Sequence, residues 1–326
     1  MINALNILEF INQAGARQEA SALVTITDVI GSGSRSAGTQ MAVSQSGAFA
    51  GSLSGGCVEA AIIGEARKIM ASGLPQKLRY GLGSPFFDIR LPCGGGIDVL
   101  VTPIQRGAQI ERACSLLARR HAVELRLDPD GSISVDEARQ AQRPGWQGER
   151  FVLTHIPNLH LVIAGNGPET LTAAKLAGLF GADVTVLSPQ EDILGAAEEA
   201  GLRTRKFRRG QPVPDLYFDR WSALALFFHD HDLEAELLAQ ALEQTPFFIG
   251  AMGSGATHIK RLEKLTARGL PASALGRVNG PIGLIPSARD PETLALSALA
   301  QIADCYHKIS RPPSLQMERV FPQVMA

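Results

Sequence analysis

The amino-acid sequence predicts an α/β protein, with an N-terminal mixed α/β domain and a C-terminal doubly wound parallel sheet. The second half carries the plainest signal. From Leu159 onward, short apolar runs alternate with helical stretches, the pattern of consecutive strand–helix–strand units on a parallel sheet. A second observation is Gly165-Asn-Gly167-Pro-Glu-Thr170, lying between the first of those runs and the helix after it, where a Rossmann-like unit makes its tight turn. The third is that residues 1–105 set a strand rich in β-branched residues, Ala22 to Ile30, beside short runs separated by Ser46 and Gly47, as a mixed domain does.

Taken in order, Leu5, Leu8 and Ile11 fall at helical spacing, so a helix opens the chain over about Ala4 to Ala20. The strand Ala22 to Ile30, the loop Gly31 to Gly38 and two short strands, Met41 to Ser44 and Phe49 to Leu53, follow. Ser54-Gly-Gly-Cys57-Val-Glu59 then leads into a helix ending near Gly73. Lys77 to Tyr80, the loop Cys93-Gly-Gly-Gly96 and the strand Ile97 to Thr102 complete the domain of residues 1–105. Residues 106–155 read as a connector with a helix to about Arg120, a strand from Val123 to Leu127 and a hairpin turn at Asp128-Pro-Asp-Gly131. Pro144, Gly145 and Gly148 give it a loop-like end. Residues 156–326 form the Rossmann-like domain, with a C-terminal helix and tail. Its strands are Leu159 to Ala164, Asp183 to Leu187, Leu202 to Phe207, Ala223 to Phe228 and Phe247 to Ala251, interleaved with helices that end at Gly181 and span Ile193 to Gly201 and Asp232 to Gln244.

Composition narrows the function classes. The 326 residues carry 31 Lys+Arg against 32 Asp+Glu, a formal net charge of -1, which argues against a dedicated nucleic-acid binder. Hydrophobic residues at 45% and charged residues at 19% exclude a disordered chain. No apolar run approaches the roughly 18 residues of a membrane span. The N-terminus lacks the basic start and apolar core of a signal peptide, and four cysteines are too few for a disulfide scaffold. A cytoplasmic protein is the expectation.

Several constellations carry chemistry. Cys57 follows Ser54-Gly55-Gly56 and begins a helix, where the dipole and free amides lower a thiol's pKa. Cys93 precedes Gly94, Gly95 and Gly96, so backbone can approach whatever it binds. Neither belongs to a Cys-x-x-Cys pair, which argues against structural zinc. Cys114 and Cys305 lie on apolar helical stretches and read as core. The turn Gly165–Gly167 allows backbone amides to approach a phosphate. Thr170 in place of a third glycine, and Ser188 in place of the ribose-binding acid, weigh against NAD(P). Gly250-Ala-Met-Gly253-Ser254-Gly-Ala-Thr257 is a second strand–loop–helix element, suited to an anion or simply to a Ser cap. In His229-Asp230-His231-Asp232, alternation along an extended segment argues against a metal cage. Asp232 reads as a helix N-cap and His229 as a residue at the ligand-facing rim. Leu202-Arg-Thr-Arg-Lys-Phe-Arg-Arg209 is a basic cluster, either a solvated strand end or a seat for a phosphate-rich ligand or acidic partner.

Together these segments resemble the xanthine dehydrogenase accessory protein family (XdhC/CoxI-like). The likeness lies in Gly31-Ser-Gly-Ser-Arg35, Ala37-Gly-Thr-Gln-Met41, Gly51-Ser-Leu-Ser-Gly-Gly-Cys57-Val-Glu59 and Leu91-Pro-Cys93-Gly-Gly95. It continues in Gly165 and Gly167, His229-Asp230, Gly250-Ala-Met-Gly-Ser254 with Thr257, His258 and Arg261, and Gly280-Pro-Ile-Gly-Leu284. The resemblance implies a non-catalytic chaperone for the pterin-dithiolene molybdenum cofactor. Such a protein holds the cofactor while a cysteine desulfurase exchanges an oxo for a sulfido ligand, then delivers it to a molybdenum hydroxylase client. It implies Cys57 and Cys93 as sulfur contacts to the metal, with Gly55, Gly56, Gly94, Gly95, Gly165, Gly167, His229 and Ser254 as further cofactor contacts, and a homodimer. The charge balance and the short apolar runs add the expectation of no nucleic-acid and no membrane partner. The alternatives are an NAD(P)-dependent oxidoreductase using the Rossmann-like half and a redox module pairing Cys57 with Cys93.

Overall fold

The computed structural model describes residues 3–32, 35–85, 94–104, 107–230 and 232–310. It divides at Pro157 into two units, the second being Asn158–Ser310.

The first unit opens with helix α1, Ala4–Ala16, in which the Asn3 side chain accepts from the Asn6 amide at 2.9 Å and Asn6 returns the bond at 3.3 Å, a reciprocal N-cap. It stops short of Ala20 because Gln18 turns to φ 58 and strand β1, Ser21–Ile30, starts at once. Strands β2 (Gln40–Ser44) and β3 (Phe49–Gly51), helix α2 (Glu59–Ser72), and strands β4 (Gln76–Gly81) and β5 (Gly96–Pro103) follow. These strands form one antiparallel sheet in the order β3-β2-β1-β5-β4. Helix α3 (Ala108–Ala118) and strands β6 (Val123–Leu127), β7 (Ile133–Glu137), β8 (Gly145–Gln147) and β9 (Arg150–His155) come next, the strands forming a second antiparallel sheet, β7-β6-β9-β8. The connector read from the sequence thus holds two more strands than its hairpin. Strand β6 buries one face through Val123, Leu125 and Leu127, β9 buries Phe151, Val152 and Leu153 in succession, and Trp146 meets Phe151 edge to face at 5.2 Å.

Both faces of β1 are covered. Leu23 packs with Leu8, Ile11, Ile110 and the inward residues of the second sheet. Ala22, Val24 and Ile26 pack with Ile62, Ala66 and Ile69 of α2. The period-2 alternation therefore feeds two cores, and each fully buried Leu or Ile contributes about 1.5–3 kcal/mol.

The second unit contains strand β10 (His160–Gly165), helix α4 (Pro168–Phe180), β11 (Asp183–Ser188), α5 (Glu191–Glu199), β12 (Arg203–Lys206), β13 (Ser222–Phe227) and α6 (Glu234–Leu242). It ends with β14 (Phe248–Ala251), α7 (Gly255–Ala267), α8 (Ala272–Leu275), β15 (Val278–Asn279) and α9 (Pro291–Ser310). All strand pairs are parallel, in the order β12-β11-β10-β13-β14-β15. This is the doubly wound Rossmann order, which reverses between the first and fourth strands of the unit. One core lies on each face of the sheet. Helix α6 starts at Glu234 with Leu233 at its N-cap and no side-chain cap. Asp232 is therefore not the cap: its carboxylate pairs with Lys264 and Arg209 instead.

Candidate functional site

In the first unit, strand direction decides what meets. Ile30 pairs with Gly96, Gly81 with Gly96, Met41 with Gly51 and Thr25 with Gln40. The loops after β1, after β3 and before β5 therefore emerge at one end of the sheet. Gly95 touches the backbone after β1 so closely that a Cβ there would lie 2.7 Å from the Ile30 carbonyl oxygen. Gly51, at φ 98, leaves equally little room beside the Gln40 carbonyl.

Ser52 to Val58 forms the loop that carries Cys57. Gly55 and Gly56 adopt φ 80 and 113, and open space borders both, a left-handed turn that only glycine enters without strain. Cys57 is exposed. What shapes the loop is Glu59, only 6% exposed. Its carboxylate accepts from the hydroxyls of Ser52 at 2.8 Å and Ser54 at 2.5 Å, and from the amides of Leu53, Ser54, Gly55, Gly56 and Val58 at 2.9–3.2 Å. Burial pushes its pKa up, but the Ser54 hydroxyl and amide and the Ser52 hydroxyl outweigh that and hold it at about 2. Two expectations change here. The helix begins at Glu59 rather than at Cys57, and the loop amides are not free, because Glu59 takes them. Gly94 and Gly95 lie at the same sheet end; Cys93 lies outside the described residues.

In the second unit the strand order reverses between β10 and β13, so the crevice opens beside Gly165 and His229. The Gly165 position is tightly enclosed: a Cβ would collide with the Thr170 hydroxyl and lie 2.6 Å from the Phe227 carbonyl oxygen. Thr170 is fully buried, and the missing Cβ of Gly165 makes room for its bulk. Glu169 folds back over Gly167, where a Cβ would overlap its carboxylate. Its Oε1 lies 3.7 Å from His229 Nε2, and His229 is 71% exposed at the rim. Ser254 caps α7, its hydroxyl accepting from the Thr257 amide at 3.1 Å. Behind it, Arg261 donates to Glu234 at 2.7 and 3.2 Å and to the Met252 carbonyl at 2.6 Å, with both charged side chains almost wholly buried. Burial, then the Arg261 charge, lowers the pKa of His258.

The structure thus places Cys57, Gly55, Gly56, Gly94 and Gly95 at one end of the first unit's sheet, and Gly165, Gly167 and His229 at the second unit's crevice. Ser254 follows β14, the strand beyond β13. Among the described residues no three His, Cys, Asp or Glu side chains gather as a metal cage; His231 lies outside those residues. Much of the basic cluster is engaged internally: Lys206 pairs with Glu191, Arg209 with Asp230 and Asp232, and Arg205 donates to the Pro214 carbonyl. Cys114 is buried and Cys305 half-buried. Sequence reasoning passed over Glu59 and Glu169. Their signal was an acid in the first helical turn just after a glycine pair or glycine turn.

These features define the class: an α/β protein with an exposed, glycine-bedded thiol in one unit and a Rossmann crevice in the other. Models of the XdhC and CoxI family and of the XdhC Rossmann domain match residues 14–81 and 161–302. The chain is 36% identical to the molybdenum cofactor insertion chaperone PaoD of Escherichia coli (strain K12), over 91% of this chain and 87% of that one. It is 25% identical to a probable xanthine dehydrogenase subunit of Bacillus subtilis (strain 168), over 90% and 95%. A crystal structure described as a xanthine dehydrogenase from Bacillus halodurans has the same fold, with a TM-score of 0.73, 21% identity and coverage of 94% and 97%. The chain belongs to the XdhC and CoxI family, as its glycine–cysteine strings suggested.

Proposed function

We propose that this protein is a molybdenum-cofactor chaperone for enzymes of the xanthine dehydrogenase type, holding its cargo rather than transforming it. The observation that carries the reading is the exposed Cys57 on a loop already shaped by Glu59 and open at Gly55 and Gly56. A soft thiolate suits molybdenum, and missing Cβ atoms leave room for a bulky pterin beside it. The insertion-chaperone name of a relative sharing 36% identity supports it further. Cys57 is the principal sulfur contact, Cys93 the second, and Gly94 and Gly95 let the ligand approach. In the second unit, Gly165, Gly167, His229 and Ser254 are further candidate contacts, in a crevice of that unit's own.

The finer assignments extend this reading. A cysteine desulfurase supplies the sulfur that replaces an oxo ligand, a hydroxylase of the xanthine dehydrogenase or aldehyde oxidoreductase class receives the product, and the protein acts as a homodimer in the cytoplasm. Among the described residues, no helix is long and apolar enough to cross a membrane. The test is expression with an active cofactor pathway, followed by assay of bound molybdenum and pterin. Near-stoichiometric cofactor on the wild type and none on a folded Cys57→Ala variant is the expected result. Equal retention by both would remove Cys57 from the site, and no cofactor on either would remove the chaperone reading.

A further inference from the structure

The glycine turn of a Rossmann unit ordinarily receives a pyrophosphate, because the helix behind it offers free amides and the positive end of its dipole. Here that offer is reduced. Pro168 is the first residue of α4 and has no amide to give. The Thr170 amide already donates to the Gly167 carbonyl at 3.1 Å. Glu169, between them, turns its carboxylate back over Gly167, into the space that a Cβ of Gly167 would fill. Its side chain is 12% exposed, and its Oε2 is buried without a hydrogen-bond partner. That orphaned oxygen separates Glu169 from Glu59. Glu59 is saturated with donors and shapes its loop, whereas Glu169 gains no such bonds from its place.

We infer that Glu169 closes the Gly165–Gly167 turn to phosphate, so that this half of the protein rejects NAD(P) and every ligand whose pyrophosphate needs that seat. The inference goes beyond the cofactor reading: it concerns what the crevice refuses, and it stands or falls without reference to Cys57. The mechanism is charge. A pyrophosphate entering the turn would lie against a carboxylate held in a half-dry site, where like charges repel with little screening. The neighbouring His229, out at the rim, approaches Glu169 only through Oε1. A ligand that presents an uncharged edge meets no such repulsion, which makes the residue a determinant of specificity built by exclusion.

The experiment titrates ADP-ribose by calorimetry and NADH by fluorescence into the intact wild-type chain, Glu169→Gln and Glu169→Ala. Glu169→Gln keeps the shape and removes the charge; Glu169→Ala removes both. The expected result is no saturation of the wild type up to about 1 mM, and binding at least about tenfold tighter in both variants. Glu169→Ala should unfold no more readily than the wild type, since it deletes a buried oxygen that has no donor. A wild type that saturates with ADP-ribose well below 1 mM overturns the inference, and so do variants that gain nothing. Molybdenum and pterin retention in the same three proteins keeps the two readings apart: loss of cofactor from the wild type would strike the chaperone proposal and leave these titrations decisive for Glu169.

Discussion

Glu59 and Cys57 stand two residues apart and do opposite work. Cys57 is exposed, so Cys57→Ala should shift stability by less than about 0.5 kcal/mol while abolishing cofactor retention. Glu59→Gln should do the reverse of a silent change. The amide nitrogen it introduces would face backbone donors, leaving some of them unsatisfied at a cost of about 1–3 kcal/mol; a lower urea midpoint at unchanged slope would report it. Cofactor retention should fall with it, because the loop that carries Cys57 loses its shape. Titration adds a second check. Glu59 is held at about 2 against an ordinary 4.5, so its contribution is present above pH 4.5 and lost as the pH falls toward 2. His155, whose Nε2 meets Gln40 at 2.7 Å, is pulled by burial from 6.5 down to about 4. The folded state then binds fewer protons between those values, and stability should decline as the pH drops from 6.5 to 4. Replacing His155 by Gln should flatten that first stretch of the stability–pH curve and leave the lower one intact.

At the scale of elements, two junctions bear the strain of holding loops in place. Gly95 lets the start of β5 lie against the backbone beyond β1. Gly95→Ala should destabilise the first unit by about 1–3 kcal/mol through that collision, measurable as a drop in its unfolding midpoint. In the second unit, Arg261 of α7 ties Glu234 of α6 to the Met252 carbonyl after β14. Arg261→Leu, which strips a fully buried carboxylate of its arginine, should cost about 3–5 kcal/mol. These elements also show what a sequence discloses. Gly73 and Gly181 end α2 and α4 in left-handed caps as expected, because a glycine stop is a local signal. The parallel strands were equally legible, since strands buried on both faces, such as β13, read as continuous apolar runs. The start of α2 was not. Whether amides after a glycine pair stay free depends on where a neighbouring carboxylate folds, and Glu59 could have pointed to solvent without altering any pattern. The strands β8 and β9 were missed because β8 is only three residues long and β9 pairs with β6 across more of the chain than a local window spans.

Over the whole molecule, each unit owns its hydrophobic interior. Among the described residues, the two cores of Asn158–Ser310 draw none from before Leu159, and those of the first unit none from after Leu153. Asn158–Ser310 expressed alone should accordingly unfold cooperatively in urea; a shallow, non-cooperative transition would contradict that autonomy. The candidate site was legible here as residue types and not as arrangement. Cys57, Gly95, Gly165 and His229 announce themselves through glycine and position at strand ends, yet the carboxylates that govern both glycine turns are ordinary helix-start acids by any sequence measure. Their opposite hydrogen bonding, one saturated and one orphaned, exists only in three dimensions.

A loop shaped by a charge that it carries inside itself has its form before any guest arrives. The Ser52–Val58 loop, fixed through Glu59 at every pH above its titration, therefore has little ordering entropy left to lose on association. Capture there should be quick, limited by encounter rather than by rearrangement, with a small heat-capacity change reflecting only the apolar surface covered. On the proposed chaperone role, release by the same logic is not driven by melting the loop at physiological pH, and a receiving enzyme would have to compete for the cargo directly.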